Sequence, residues 1–189
     1  MMALIKQDLE TLKIMHDVFT SELDLHKKDY INKAIGILKE KSLIYEGTLE
    51  APKGEEDNNW EAKKLLLFKS TEFGDDQDRA ITKQDGNWTY LGGDLAYALD
   101  KIERKFDDII IVLGSDHIGY SARLKALYNS LKQPQQNFDI SFCQMVNFTK
   151  SGVPIRMSKR AGNYITVSEV VEEVGCDAVR LMMLTKQND

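Results

Sequence analysis

The apolar run Ile109-Ile110-Ile111-Val112-Leu113 is the feature that most constrains how this chain can fold. Four of its five residues are β-branched, and a short continuous run of this kind is typical of a strand buried on both faces of a parallel sheet. Gly114-Ser115-Asp116 then interrupts the run, and apolar residues recur at helical spacing as far as Leu131. The sequence therefore predicts a buried strand that turns directly into an amphipathic helix.

The segments on either side repeat this alternation. Trp88-Thr89-Tyr90-Leu91 has the composition of a strand, Leu95, Ala98, Leu99 and Ile102 fall on one face of a helix, and a further strand is expected from Phe142 to Phe148. Strand, helix, strand, helix, strand is the order of a doubly wound α/β fold with a parallel sheet.

The first part of the chain has a different pattern. The first forty residues are predicted to be helical, with Ile31, Ala34, Ile35 and Leu38 spaced as one buried helix face. Leu65-Leu66-Leu67-Phe68 predicts a short strand. Near the other end, Thr166 and Glu169 are spaced as a helix capping box, and Gly175 is expected to break the helix that follows.

Composition excludes several classes of protein. No apolar run approaches the roughly 18 to 20 residues that a membrane span needs, and the first residues do not have the pattern of a secretion signal. Cys143 and Cys176 have no metal-ligand spacing, so we expect buried thiols in a cytoplasmic protein. Neither the histidines nor the Asp75, Asp76, Asp78 cluster predicts a metal site, because such a cluster is more often a solvated acidic turn.

The chain carries 25 basic and 30 acidic side chains, a formal charge of −5, yet its window from Ile140 to Ser168 contains no acidic residue. That window holds Lys150, Arg156, Lys159 and Arg160. Because nearby carboxylates would cancel the field that a phosphate needs, this segment predicts an anion site. The alternative is a solvated basic turn.

Four ordered blocks give the sequence a specific resemblance. They are Asp85-Gly86-x-x-Thr89-Tyr90-x-x-x-Asp94-x-Ala96-Tyr97, Gly114-Ser115-Asp116-His117-x-Gly119-Tyr120-x-x-Arg123-Leu124-Lys125, Gln144-Met145-Val146 and Met157-Ser158-Lys159-Arg160-Ala161-Gly162-Asn163. In this order and spacing the chain resembles arginyl-tRNA synthetases of the bacterial type, which are class I aminoacyl-tRNA synthetases. The tetrad His117-Ile118-Gly119-Tyr120 also resembles the His-Ile-Gly-His signature of class I enzymes, but it lies only 42 residues before Lys159. In that family the signature lies in the first half of the nucleotide-binding fold and the lysine loop in the second half. An interval of 42 residues is too short for the strands and the connective segment that lie between them, so the tetrad is not that signature.

The resemblance implies ATP-dependent activation of arginine and its transfer to tRNA, with ATP as substrate and Mg²⁺ bound to it. It implies that Tyr90, Asp94 and His117 contact arginine. A guanidinium prefers a carboxylate and an aromatic face. The alternative for Asp94 is a helix cap, with Tyr90 in the core.

The ATP contacts that the resemblance implies are Asp116, Gln144, Met145, Val146, Met157 and Lys159. For Asp116 and His117 the alternative is a helix cap beside a packed histidine, and for residues 144–146 it is a core strand. Lys159 is expected to meet the triphosphate, with Ser158 and Arg156 as the other catalytic residues; Arg156 stands where the family often has Lys.

By the same resemblance, residues 1–72 are a connective region of helices and short strands, and residues 73–189 are the second half of a Rossmann-like catalytic domain. We expect a fragment that is inactive alone, because the His-x-Gly-His half and the anticodon domain are absent from it. Its partners would be arginine, ATP, tRNA and the N-terminal half of the enzyme, with no DNA and no membrane. The alternatives are a non-catalytic nucleotide- or tRNA-binding module, and a class I synthetase for glutamate, glutamine or cysteine.

Overall fold

The structure is a computed structural model that describes residues 1–48, 64–144, 146, 148–150, 152–154 and 165–185. Its helices are Met2–Thr11 (α1), Glu22–Lys27 (α2), Tyr30–Glu40 (α3), Tyr90–Glu103 (α4), Ser121–Leu131 (α5), Val167–Val174 (α6) and Cys176–Leu184 (α7). Its strands are Ile44–Gly47 (β1), Leu65–Phe68 (β2), Arg79–Ala80 (β3), Asp108–Gly114 (β4), Asn137–Cys143 (β5), Thr149–Lys150 (β6) and Val153–Pro154 (β7). Ser70–Phe73 and Ser115–Tyr120 form 3₁₀ helices.

The chain divides into two compact units. One comprises Met1–Phe19 together with Cys143–Asp189, and the larger one comprises Thr20–Phe142. The boundary expected after residue 72 concerns the domain organisation of the family, and it stays a prediction.

The core of the larger unit lies among α3, α4 and α5. The predicted stripe on α3 is confirmed, because its residues Ile31, Ala34, Ile35 and Leu38 are all buried. The predicted face of α4 is buried as well, from Leu91 to Ile102. Burying these helix faces against one another removes apolar surface from water, which is the main force that holds the unit together.

The first turn of α4 is where the sequence pattern misled. Trp88–Leu91 was expected to be a strand, but only Trp88 forms a β-bridge, with Thr82, and the helix begins at Tyr90. Thr89 explains the early start: its amide donates to the carbonyl of Ile81 at 2.8 Å, and its hydroxyl donates to the carbonyl of Ala80 at 2.8 Å. These bonds tie the beginning of α4 to the end of β3.

Strands β4 and β5 form a two-stranded parallel sheet, joined by α5 in a crossover. This is the β-α-β arrangement of a Rossmann-like fold and confirms the expected fold class. The strand over residues 109–113 is present, but the expectation that both of its faces are buried is wrong for the described residues. Ile109 is buried, whereas Ile110 and Val112 are each 63% exposed. The described helices cover only the face of β4 that carries Ile109.

The following strand also differs from expectation. β5 begins at Asn137 and ends at Cys143, five residues earlier than predicted at each end. Ile140 is buried in it, while its neighbours Asp139 and Ser141 are exposed. This alternation is the period-2 pattern of a strand with one buried face.

A second sheet contains β1, β2 and β3 in antiparallel order, and the strand predicted at Leu65–Phe68 is β2. The turn between β2 and β3 holds the aspartate cluster, and it is only partly the expected solvated turn, because Asp76 is exposed whereas Asp75 is buried. Asp75 is buried, and its two carboxylate oxygens accept from Nε and Nη2 of Arg79 at 2.8 and 2.7 Å. Asp78 accepts from the hydroxyls of Thr71 and Tyr45. These carboxylates act as structural acceptors.

The smaller unit contains α1, α6 and α7. The predicted capping box is present at α6, and Gly175 separates α6 from α7 with a positive φ of 85°. Lys13, two residues after the end of α1, pairs with Asp177 of α7 at 2.8 Å, and both side chains are exposed.

The two cysteines were expected to be buried, but Cys143 is exposed and Cys176 is partly exposed. Cys143 is the last residue of β5 and lies on the exposed side of that strand's alternation. None of the helices in the described part of the chain has both the length and the apolar character of a membrane span.

Candidate functional site

A cleft of about 380 Å³ opens between α2 and α4 in the larger unit. It is lined by Thr20, Glu22, Leu25, Tyr90, Gly93, Asp94 and Tyr97. Helical spacing explains its wall: Tyr90, Gly93, Asp94 and Tyr97 are three or four residues apart, so they share one face of α4. Two carboxylates and two tyrosines thus meet in one small volume.

Asp94 lies inside α4 and is not its cap. The helix begins four residues earlier and its N-cap is Thr89, so the capping alternative for Asp94 is wrong. The carboxylate instead accepts a hydrogen bond at Oδ2 from the hydroxyl of Tyr120. Burial raises the pKa of the Asp94 carboxyl, and the negative charge of Glu22 raises it further. The hydrogen bond from Tyr120 and the positive charge of Arg123 lower the pKa, but burial outweighs them, so the pKa of Asp94 lies above its ordinary value. Bound cationic ligand would favour the ionised form.

Glu22 supplies the second carboxylate. It is the first residue of α2, whose N-cap Ser21 accepts from the amide of Asp24. Its Oε1 lies beside Gly93, close enough that a Cβ on Gly93 would be only 2.9 Å away. The absence of a side chain at position 93 lets the Glu22 carboxylate approach the helix wall.

The aromatic residues differ in their exposure. Tyr90 is 93% exposed at the rim, so the alternative that places it in the core is wrong. Tyr97 is 42% exposed and has the Nζ of Lys101 over its ring, 2.8 Å from the ring centre. Both tyrosines offer an aromatic surface to a ligand in the cleft, in addition to the carboxylates.

This combination suits a cation with a planar, delocalised charge. A guanidinium has five N–H donors that match carboxylate oxygens in pairs, and its flat face stacks on aromatic rings. An ammonium is a compact charge with three donors and uses such a surface less completely.

Asp116 and His117 lie in the 3₁₀ helix between β4 and α5. The carboxylate of Asp116 folds back over Gly114, and its Oδ2 lies 3.7 Å from Nε2 of His117. More than half of each side chain is exposed, so His117 is not packed as the alternative assumed. His117 is also not among the residues that line the cleft.

Gln144 and Val146 follow the carboxyl end of β5 and are exposed. They are therefore not part of a core strand, and their role as ATP contacts stays a prediction. The other predicted residues Met145, Arg156, Met157, Ser158 and Lys159 lie outside the described residues.

The structure adds four residues to the site for which the sequence analysis predicted no role, namely Glu22, Tyr97, Tyr120 and Arg123. Tyr97 and Tyr120 belong to the motif blocks, and Tyr97 lies one helical turn after Asp94, so that spacing could have indicated it. Arg123 lies one turn after Tyr120, and its guanidinium carbon is 4.6 Å from the centre of the Tyr120 ring. Glu22 is 72 residues before Asp94, and no local pattern connects the two.

Comparison with known proteins gives a consistent result. No protein-family model matches the chain. The arginine–tRNA ligase of Wolbachia sp. subsp. Brugia malayi is 52% identical over 186 residues, which cover 98% of this chain and 33% of that protein. The arginine–tRNA ligase of Ehrlichia chaffeensis is 51% identical over 189 residues, which cover 100% of this chain and 33% of that protein.

Solved structures agree with the sequence comparison. A Campylobacter jejuni protein assigned as an arginyl-tRNA synthetase superposes with a TM-score of 0.79 at 37% identity, covering 100% of this chain and 37% of that one. Mycobacterium tuberculosis methionyl-tRNA synthetase, solved with methionyl-adenylate, has a TM-score of 0.61 at 14% identity, which shows a shared fold. The chain spans about a third of the length of the curated relatives it matches. Along its whole length, the sequence is thus homologous to a section of the arginine–tRNA ligases, as the four motif blocks indicated.

Proposed function

We propose that this chain supplies the arginine-binding part of an arginine–tRNA ligase, and that the cleft between α2 and α4 holds the guanidinium of the substrate. The observation that carries the proposal is the pairing of Asp94 and Glu22 in one cleft with Tyr90 and Tyr97. A glutamate- or glutamine-specific enzyme would have no use for two carboxylates at this position, because they would repel an acidic substrate and give a neutral amide no charge to neutralise.

The reaction of the whole ligase has the arginine carboxylate attack the α-phosphate of ATP, with pyrophosphate leaving and Mg²⁺ accompanying the nucleotide. Negative charge spreads over phosphate oxygens in such a step, so catalysis depends on positioning and on cations. Lys159 would neutralise the phosphates, with Ser158 and Arg156 beside it in sequence. His117 would contact arginine outside the cleft, and Asp116, Gln144, Met145, Val146 and Met157 would contact ATP. Transfer to tRNA follows activation.

Arginine binding by the 189-residue chain tests the cleft directly. Calorimetric titration with L-arginine should give saturable binding, and citrulline, which has the same shape without the charge, should bind at least tenfold more weakly. Asp94→Asn should lose at least tenfold in affinity, since a charge-assisted hydrogen bond contributes about 1.5 to 3 kcal/mol. Asp139→Asn is the matched control, because Asp139 is exposed and does not line the cleft. Equal affinity for arginine and citrulline would contradict the proposal.

The catalytic part is tested in a protein of the relatives' full length. Arginine-dependent exchange of pyrophosphate into ATP should fall about 100-fold or more in Lys159→Ala, because loss of one preorganised charged group costs roughly 3 kcal/mol. Because this chain spans a third of its relatives, we expect it to bind arginine alone without exchanging pyrophosphate.

A further inference from the structure

Tyr120 and Arg123 have no part in the proposed contacts, yet they lie directly behind the carboxylate that the cleft depends on. Tyr120 is the last residue of the 3₁₀ helix that precedes α5, and its hydroxyl donates to Oδ2 of Asp94. The bond joins α4 to the segment between β4 and α5. Each carboxylate oxygen has two lone pairs, so the hydroxyl occupies one and leaves the other three for a ligand.

Arg123 supports Tyr120 from the first turn of α5. Its guanidinium carbon lies 4.6 Å from the centre of the Tyr120 ring, a cation–π distance. Within the described residues, its Nε is buried without a hydrogen-bond partner and Arg123 forms no salt bridge. Its charge acts on both the ring and the hydroxyl of Tyr120 and, at longer range, on Asp94.

We propose that Tyr120 is a positioning residue for arginine recognition: its hydroxyl fixes the rotamer of Asp94 and favours the ionised form of that carboxylate, while Arg123 holds the Tyr120 side chain. This inference rests on the proposed function, since it assigns the cleft to a guanidinium. Tyr120 does not line the cleft, so it acts on the substrate through Asp94.

The charged groups around Asp94 support this role. Burial and the Glu22 charge from α2 raise the pKa of Asp94, and the hydrogen bond from Tyr120 and the charge of Arg123 lower it. Burial, together with Asp94, raises the pKa of Tyr120 to about 12, so its hydroxyl keeps its proton and donates throughout the neutral range. Tyr128 lies near enough for the Asp94 charge to raise its pKa as well, but it makes no hydrogen bond to Asp94 among the described contacts. Removing the Tyr120 hydroxyl should therefore make Asp94 harder to ionise.

The deciding experiment is arginine binding by wild-type and Tyr120→Phe chains between about pH 3 and pH 8, with the carboxyl carbon-13 shift of Asp94 titrated in parallel without ligand. In Tyr120→Phe, the midpoint of both titrations should move to higher pH, and affinity at neutral pH should fall about three- to tenfold, as expected when one hydrogen bond of ordinary strength is lost and its effect reaches the ligand through Asp94. Tyr128→Phe is the matched control: Tyr128 is buried on α5 and stacks on Phe138 with ring centres 4.0 Å apart. Its midpoints should equal those of the wild type.

Variants of Arg123 provide a second test, which leaves the hydrogen bond between Tyr120 and Asp94 in place. Arg123→Met should raise the same midpoints, and Arg123→Lys, which retains the charge, should raise them less. If Tyr120→Phe does not fold, unchanged midpoints in Arg123→Met overturn the inference.

The two proposals fail in different ways. Wild-type chain that binds no arginine overturns the assignment of the cleft, while the carbon-13 titration of Asp94 still decides on Tyr120. Wild-type chain that binds arginine, with Tyr120→Phe unchanged in affinity and in both midpoints, overturns the positioning role alone.

Discussion

The carboxylate of Glu22 lies against the bare backbone of Gly93, where a Cβ would come within 2.9 Å of Oε1. Glu22 is at the start of α2 and Gly93 is in the first half of α4, so this approach sets how far the second carboxylate reaches into the cleft. Gly93 is thus a position where the proposed function, and not helix stability, favours glycine.

Gly93→Ala should separate binding from stability. Alanine is favoured over glycine in a helix by about 1 kcal/mol, and the Glu22 side chain is exposed enough to swing away from a new methyl group. We expect an unchanged or higher free energy of unfolding in urea, together with arginine affinity lowered about three- to tenfold because Glu22 is displaced.

Gly36→Ala is the control for this variant, since a Cβ at Gly36 of α3 meets nothing within 4 Å. It should gain the same helix stability with no change in arginine affinity. If Gly93→Ala also binds arginine like the wild type, Glu22 makes no contribution from its present place.

The ion pair between Asp75 and Arg79 gives a second prediction, on stability. Burial alone would raise the pKa of Asp75, but the bonds from Arg79 and from the amide of Asp76 outweigh it and hold the pKa well below its ordinary value. Asp75→Asn should lower the free energy of unfolding at pH 7 by about 2 to 3 kcal/mol, because it leaves a partly buried guanidinium with only Asp76. Asp76→Asn, whose side chain is 80% exposed, should cost less than about 1 kcal/mol.

The same pair predicts a direction of pH dependence. Since the folded pKa of Asp75 is depressed, its contribution is fully present above the unfolded value of about 3.9 and is lost as the pH falls toward the folded value. Urea unfolding of wild type and Asp75→Asn should therefore converge below about pH 4. A difference that stays constant down to pH 2 would mean that the ionised carboxylate is not what stabilises the turn.

Exposure of Cys143 gives a prediction for thiol chemistry. Cys143 is exposed at the end of β5 and Cys176 is partly exposed at the start of α7. A chromogenic disulfide reagent should react with one thiol quickly and with the other more slowly in the folded chain. Cys143→Ser should remove the fast phase, and Cys176→Ser should retain it; the reverse would contradict the burial seen here.

Local periodicity was sufficient to place α3 and most of α4, but the expectation that the first forty residues are helical was wrong between the two helices there, because α1 ends at Thr11 and α2 begins at Glu22. The stripes on α3 and α4 repeat over several turns, so burial of one face was predictable without knowing what covers it. The start of α4 was not predictable, because the β-propensities of Trp88, Thr89 and Tyr90 favour a strand, and it is Thr89's bonds to Ala80 and Ile81 that decide for a helix. Likewise, composition identified β4, but which of its faces is covered depends on the elements packed against it.

The candidate site likewise contains some residues that local sequence could predict and others that only tertiary contacts bring together. Tyr90 and Asp94 are four residues apart on one helix, so their common face follows from spacing. Glu22 reaches the same cleft from another helix, and Tyr120 from the other side of Asp94, through contacts that depend on the tertiary fold. Contacts between residues that are far apart in the sequence are therefore what the structure adds to the candidate site.

Lys101 gives the last prediction, on charge burial. Its Nζ lies over the Tyr97 ring and, among the described residues, is buried without a hydrogen-bond partner. Burial, with the neighbouring Arg104, lowers the pKa of Lys101 to about 8. A lowered pKa in the folded state means that the charged ammonium of Lys101 destabilises the folded chain relative to the unfolded one. This destabilisation is complete below about pH 8, and it disappears as the pH rises toward the pKa of about 10.4 that Lys101 has in the unfolded chain. Lys101→Met should therefore raise the free energy of unfolding at pH 7 by about 1 to 2 kcal/mol, after allowance for partial solvent screening and the lost cation–π contact, and the gain should shrink between pH 8 and pH 10. Urea unfolding at pH 7 and pH 10 measures both effects, with the exposed Lys125→Met as the control that should change neither. A Lys101→Met chain less stable than wild type at pH 7 would show that the contact with Tyr97 outweighs the cost of burying the charge.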